Sequence, residues 1–129
     1  MTVDYKINFD VPLNKKKNNK TIRCICTDDE LKAYGFTDYI KKRWYYCRRL
    51  IPDITFNLTI DKKTRKVIVE VLDEDYCQLY DYQHMIYKAI EENTEPNEMA
   101  VIVHGNVQEK MKQLMEDGII VRYKENDYI

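Results

Sequence analysis

Alanine occurs only three times in this sequence, glycine three times, and net charge is nearly absent. Each shortage removes a class of protein. With 21 basic residues against 22 acidic ones, the formal charge is −1, so no global field draws the molecule onto nucleic acid. Any charge recognition must therefore be local. No apolar run approaches the roughly 20 residues that cross a bilayer. The N-terminus also lacks an apolar leader, because Tyr5, Ile7, Phe9 and Val11 alternate with Lys6, Asn8 and Asp10. A cytoplasmic protein with reduced thiols is expected, and the sequons at Asn19 and Asn57 then go unused.

The four cysteines, Cys24, Cys26, Cys47 and Cys77, lack the paired Cys-x-x-Cys spacing of zinc sites. Cys24 and Cys26 share one side of an expected strand. On an expected helix, Cys77 and His84 share a face but stand two turns apart, roughly 10 Å at 1.5 Å per residue. No metal and no cofactor are expected. No catalytic motif stands out either: nothing local joins a cysteine to His84 or His104 as nucleophile and base. His104-Gly-Asn106, read between a strand and a helix, is a weak anion site resting on one glycine. The scarcity of alanine beside abundant Lys, Asn, Ile and Tyr reflects AT-rich codons, which suggests a low-GC bacterium or its phage or mobile element.

What is present is concentrated between Thr37 and Ile51, where five basic residues and four aromatic rings share fifteen positions. Wound as a helix, Ile40, Trp44, Cys47 and Ile51 form one stripe, while Lys41, Lys42, Tyr45, Arg48 and Arg49 gather on the opposite side. That face suits phosphates or an acidic protein surface. A second aromatic group, Tyr76, Tyr80 and Tyr87, falls along one side of a long helix expected from Asp73 to Asn93. It offers rigid area with polar tips, as interface tyrosines do.

Around these segments the periodicity alternates between two and 3.6. Strands are expected at Tyr5 to Val11 and Thr21 to Thr27, joined through a basic tip at Asn14 to Asn19. Thr27-Asp-Asp-Glu30 reads as a capping box opening a helix that Gly35 interrupts. Ile54 to Ile60 and Val67 to Val71 form the clearest hairpin, turning at Asp61-Lys-Lys-Thr64. The last third is read as strand at Ala100 to Val103, helix from Asn106, and strand at Ile119 to Val121. Read otherwise, Gln108 to Asp117 is a recognition helix and Gly118 to Ile129 a wing with Lys124-Glu-Asn-Asp127 at its tip. That segment resembles the end of winged-helix DNA-binding domains.

The expected fold is one α+β domain over residues 1–129, with antiparallel hairpins forming a sheet packed by two main helices and a C-terminal strand-helix-strand unit. The expected function is a small non-enzymatic binding protein, encoded by a phage or mobile element, that acts by occupying a site on a host protein or complex. Nucleic-acid binding through the basic segment 37–51 is the alternative. The expected partner-binding residues are Lys41, Lys42, Tyr45, Arg48, Arg49, Tyr76, Tyr80 and Tyr87.

Overall fold

The computed structural model describes residues 21–129 and has an α+β architecture. The strand and tip expected between Tyr5 and Asn19 lie outside the described residues. Four strands form an antiparallel meander: β2 (Arg43–Ile51), β3 (Ile54–Asp61), β4 (Val67–Asp73) and the short β5 (Gln78–Leu79). A separate two-stranded ribbon pairs β1 (Arg23–Cys24) with β6 (Ile120–Val121). Three helices, α1 (Asp28–Tyr34), α2 (Tyr82–Glu91) and α3 (Glu98–Glu116), complete the described chain.

The hairpin expected from alternation is present as β3 and β4, with Phe56 opposite Val71, Leu58 opposite Val69 and Ile60 opposite Val67. These residues face inward, and Ile54, Phe56, Leu58 and Ile60 are at most 1% exposed. The capping box is also present. Thr27 accepts from the amide of Glu30 while the Glu30 carboxylate accepts from that of Thr27, and Gly35, at a positive φ of 122°, ends α1.

Three expectations are overturned. The Thr37 to Ile51 segment is not a helix: Thr37 pairs with Tyr45, a turn follows, and residues 43–51 are strand. The three consecutive aromatic side chains Trp44, Tyr45 and Tyr46 favour that outcome, since aromatic residues pack well on a pleated surface. Trp44 and Tyr46 are buried, whereas Tyr45, Cys47 and Arg49 point to the other face. The long helix from Asp73 is likewise divided. Asp73 Oδ1 accepts from the amides of Asp75 and Tyr76, closing a turn that competes with helix, and Cys77 takes a positive φ of 52° before β5.

The third correction concerns Ala100 to Val103, which lies in the first turns of α3. Asn97 Oδ1 accepts from the amide of Ala100, and Ala100, Val103, Val107, Met111 and Leu114 are all buried at helical spacing. Burial along that stripe outweighs the weak resistance of β-branched residues to helix, at most about 0.7 kcal/mol each. The expected strand-helix-strand unit is therefore a capped helix followed by β6. No wing is formed, because β6 pairs with β1 and the rest of the C-terminal segment is drawn against the helices. The covering of the sheet changes accordingly, with α3 packed against β2 and against α2.

Among the described residues β2 is an edge strand of the sheet, and its outer side is blunted in three ways. Thr37 occupies the backbone groups of Tyr45, Arg48 Nη1 donates to the carbonyl of Cys47 at 2.8 Å, and the register shifts between Arg49 and Ile51. Phe56→Ala should cost about 3–5 kcal/mol, since the ring is wholly enclosed. Tyr76→Ala, at an exposed turn position, should stay within about 0.5 kcal/mol. Urea unfolding of the two variants checks both, and equal losses would contradict the core assigned to β3.

Candidate functional site

As a strand, the basic segment is pulled apart. Six residues at about 3.3 Å each separate Arg43 from Arg49 by roughly 20 Å. Lys41 and Lys42 sit in the turn before β2, and Tyr45 and Arg49 lie on the outer sheet face. Arg48 projects to the inner side, where its guanidinium stands 4.1 Å from the Tyr46 ring centroid. The five residues do not form one face.

The meander supplies another grouping in exchange. The start of β2 and the β3–β4 turn lie at the same end of the sheet, and the amide of Lys62 donates to the carbonyl of Lys42 at 3.0 Å. Lys41, Lys42 and Arg43 are thereby joined by Lys62 and Lys63. Tyr39 and Ile40 stand out of this corner at 76% and 51% exposure. Tyr39 stacks on Tyr45, with ring centroids 4.7 Å apart and planes 21° from parallel. The corner therefore presents an apolar tip surrounded by cations.

The two carboxylates nearest these cations are engaged within the corner. Asp38 accepts from Lys62 Nζ at 2.8 Å, and that bond holds its carboxyl below the usual range. Asp61 Oδ1 accepts from the amides of Thr64 and Lys63, and these turn amides hold it low as well, with Arg43 opposite on β2 assisting. No ion pair involves Lys41, Lys42 or Lys63 among the described residues. Beneath the corner, Lys62 Nζ lies 4.6 Å from the centroid of Trp44, the sole tryptophan. Trp44 Nε1 donates to Asp28 Oδ1 at 3.0 Å, and Arg65 Nη1 donates to the same oxygen at 2.6 Å. This pair of donors holds the Asp28 carboxyl below its usual range, Arg65 being the larger influence.

The tyrosines do not form a ridge. Tyr76 is 72% exposed in the β4–β5 turn, and Tyr80 follows β5 with its amide bonded to Val71 O. Tyr87 is buried on α2 and stacks on Tyr128 at 5.4 Å, and burial pushes its phenol up to about 12. The end of the sheet near Tyr76 is acidic, with Asp53, Asp73, Glu74 and Asp75 in the two turns there, and Glu74 N donating to Asp53 O ties those turns together. Lys41, Lys42, Lys62 and Lys63 thus gather at one end of the sheet, and a group of carboxylates, with Arg49 close to it, at the other.

Cys24 and Cys26 are buried with their sulfurs 3.6 Å apart. Desolvation, aided by the neighbouring thiol, pushes Cys26 up to about 12, which suits packing more than reactivity. Cys77 lies in a turn and His84 on α2, so they do not share a helix. His104, Gly105 and Asn106 lie inside α3, where the amides are spent on the helix, and the anion site expected at a helix start is not there. Among the described residues no group of three or more His, Cys, Asp or Glu converges, and no helix is long and apolar enough to cross a membrane.

Comparison with protein-family models, with curated proteins and with solved structures finds no match.

Tyr39, Ile40, Arg43, Lys62 and Lys63 are the residues that reading by helical period missed. Their signal lay in the expected Asp61 to Thr64 turn, which meets residues 41–43 only once β2 is recognised as a strand. Asp28, with its carboxyl lowered, adds stability that is present above its unfolded value near 3.9 and is lost as pH falls through the folded one. Asp28→Asn should therefore flatten the fall in melting temperature below about pH 4 and shift Trp44 fluorescence at neutral pH. An unchanged acid limb in the variant would show that this carboxylate contributes nothing there.

Proposed function

We propose that this protein is a non-enzymatic binding protein that occupies an acidic site on a partner protein or complex through its cationic corner. The observation that carries the reading is the exposed Tyr39 and Ile40 tip ringed by Lys41, Lys42, Arg43 and Lys63, with the nearby carboxylates of Asp38 and Asp61 already engaged. Apolar and aromatic area supplies affinity when desolvated, and the surrounding cations select an acidic counterpart and speed encounter. Near-neutral overall charge favours this over nonspecific attraction to polyanions. The AT-rich residue usage is in keeping with a phage or mobile-element origin and a host partner.

Single-stranded nucleic acid is the second reading, and the Tyr39–Tyr45 stack beside an open sheet face is what favours it. Bases stack on such rings at about 1–3 kcal/mol each. The two readings separate by salt dependence and by nuclease. Replacing Lys41, Lys42 and Arg43 together with Glu should abolish capture of a protein partner from a low-GC bacterial lysate, with or without nuclease treatment, while moving stability by about 0.5 kcal/mol or less per site. Fluorescence anisotropy with labelled single strands at low salt should show no binding at micromolar protein. Binding that weakens with salt at a log–log slope of about −0.7 per phosphate would favour the second reading instead.

A further inference from the structure

The C-terminal segment 123–129 carries little regular structure, yet Tyr123, Asn126 and Asp127 are buried. Side chains from two helices hold it. Gln83 of α2 donates to the carbonyl of Asp127 at 2.7 Å and accepts from the amide of Ile129 at 3.0 Å. Gln108 of α3 accepts from the Tyr123 hydroxyl at 3.2 Å and from the amide of Asn126. One turn earlier on the same helix, His104 is 1% exposed, and its Nε2 meets Asn126 Oδ1 at 3.0 Å. With a carbonyl oxygen facing it, Nε2 carries the proton, leaving Nδ1 a bare acceptor. Nδ1 is the one buried side-chain nitrogen or oxygen among the described residues without a partner.

We propose that His104 is a proton-sensitive latch: protonation at Nδ1 releases the segment 123–129 from α2 and α3 while the sheet stays folded. The imidazolium would bear a second N–H donor at Nδ1, which has no partner, and a buried charge with no ion pair among the described residues. Among the described residues few surrounding groups offset it. From α2, the neutral phenol of Tyr82 lies 6.0 Å from the imidazole, and burial pushes that phenol well above its usual range. From the C-terminal segment, Glu125 favours the charged ring only as the smallest influence, behind desolvation and the Asn126 bond. Asp127 turns Oδ2 to the amide of Lys124 at 2.8 Å. Burial therefore dominates and lowers the His104 pKa.

A histidine lowered in the closed form binds its proton more tightly in the open one. The latch holds fully above the ordinary histidine value of about 6.5 and weakens as pH falls from there toward the lowered value. Release would widen the recess between β4, β5 and α2, which is lined by Val69, Tyr80 and Tyr82 and closed on one side by Tyr128 and Ile129. The segment also seats Tyr123 in the core and stacks Tyr128 on Tyr87, but it has little regular structure of its own, whereas the sheet rests on a row of wholly enclosed side chains, and irregular terminal segments open at lower free energy than core strands.

Hydrogen exchange followed by mass spectrometry between pH 7.5 and 5 tests this on the intact chain. After correction for intrinsic rates, exchange in 123–129 should rise by up to ten-fold per unit below about pH 6.5, with residues 54–60 unchanged. His104→Gln, which keeps a donor toward Asn126 and cannot take a proton, should flatten that dependence. His84→Gln should leave it intact. Should His104→Gln fail to fold, Asn126→Asp decides, since a carboxylate against Nε2 stabilises the imidazolium and moves the release midpoint to lower pH. Equal acceleration in 54–60, a pH-independent tail, or an unchanged profile in His104→Gln or Asn126→Asp overturns the latch.

Discussion

Burial of the inner side of β3 is the constraint on which the rest depends. Ile54, Phe56, Leu58 and Ile60 are enclosed, and full burial of such side chains is worth about 1.5–3 kcal/mol each. Because side chains alternate strictly along a strand, seating this row inward sets the register of both neighbours and fixes which residues of β2 face out. Trp44 and Tyr46 must join Ile60 and Leu58 inside, so Tyr45, Cys47 and Arg49 are turned outward. The cationic corner then follows from topology, since a meander returns the β3–β4 turn to the end at which β2 begins.

The two ends of the molecule are secured by different physics. Around Trp44 the contacts are a cation over a ring and a carboxylate shared by two donors, in partial contact with solvent. Around His104 they are neutral hydrogen bonds in a buried setting, where each bond counts for more and each unmade bond costs more. Salt acts chiefly on the first region and pH near neutrality on the second.

Much of the fold was legible in the sequence, and the places where it was not share a cause. The β3–β4 hairpin was readable from seven consecutive alternating positions, and the α1 cap from Thr27 and Glu30. Residues 37–51 misled because Ile40, Trp44, Cys47 and Ile51 fit a helical stripe, although Trp44 and Tyr46 also fit a strand. Only the pairing partner at Ile54 to Asp61 decides between them. Ala100 to Val103 misled through propensity, which tertiary burial overrides, and Tyr76 to Tyr80 through an Asx turn whose hydrogen bonds no periodicity reveals. The candidate site was legible in its charge but not in its shape. Lys41 and Lys42 were identified, whereas the partnership with Lys62 and Lys63 requires two strands to be placed side by side.

A sheet that ends, among the described residues, in a nine-residue strand offers its neighbours in solution a template for adding another. Here the Thr37 bridge, the arginine laid across the Cys47 carbonyl and the bulge before Pro52 leave little uninterrupted ladder on that side. If the exposed aromatic corner binds a partner, as proposed, the protein must meet that partner as a discrete particle. Spoiling its own sheet border lets the chain carry sticky side chains at one end without growing into fibres along the other.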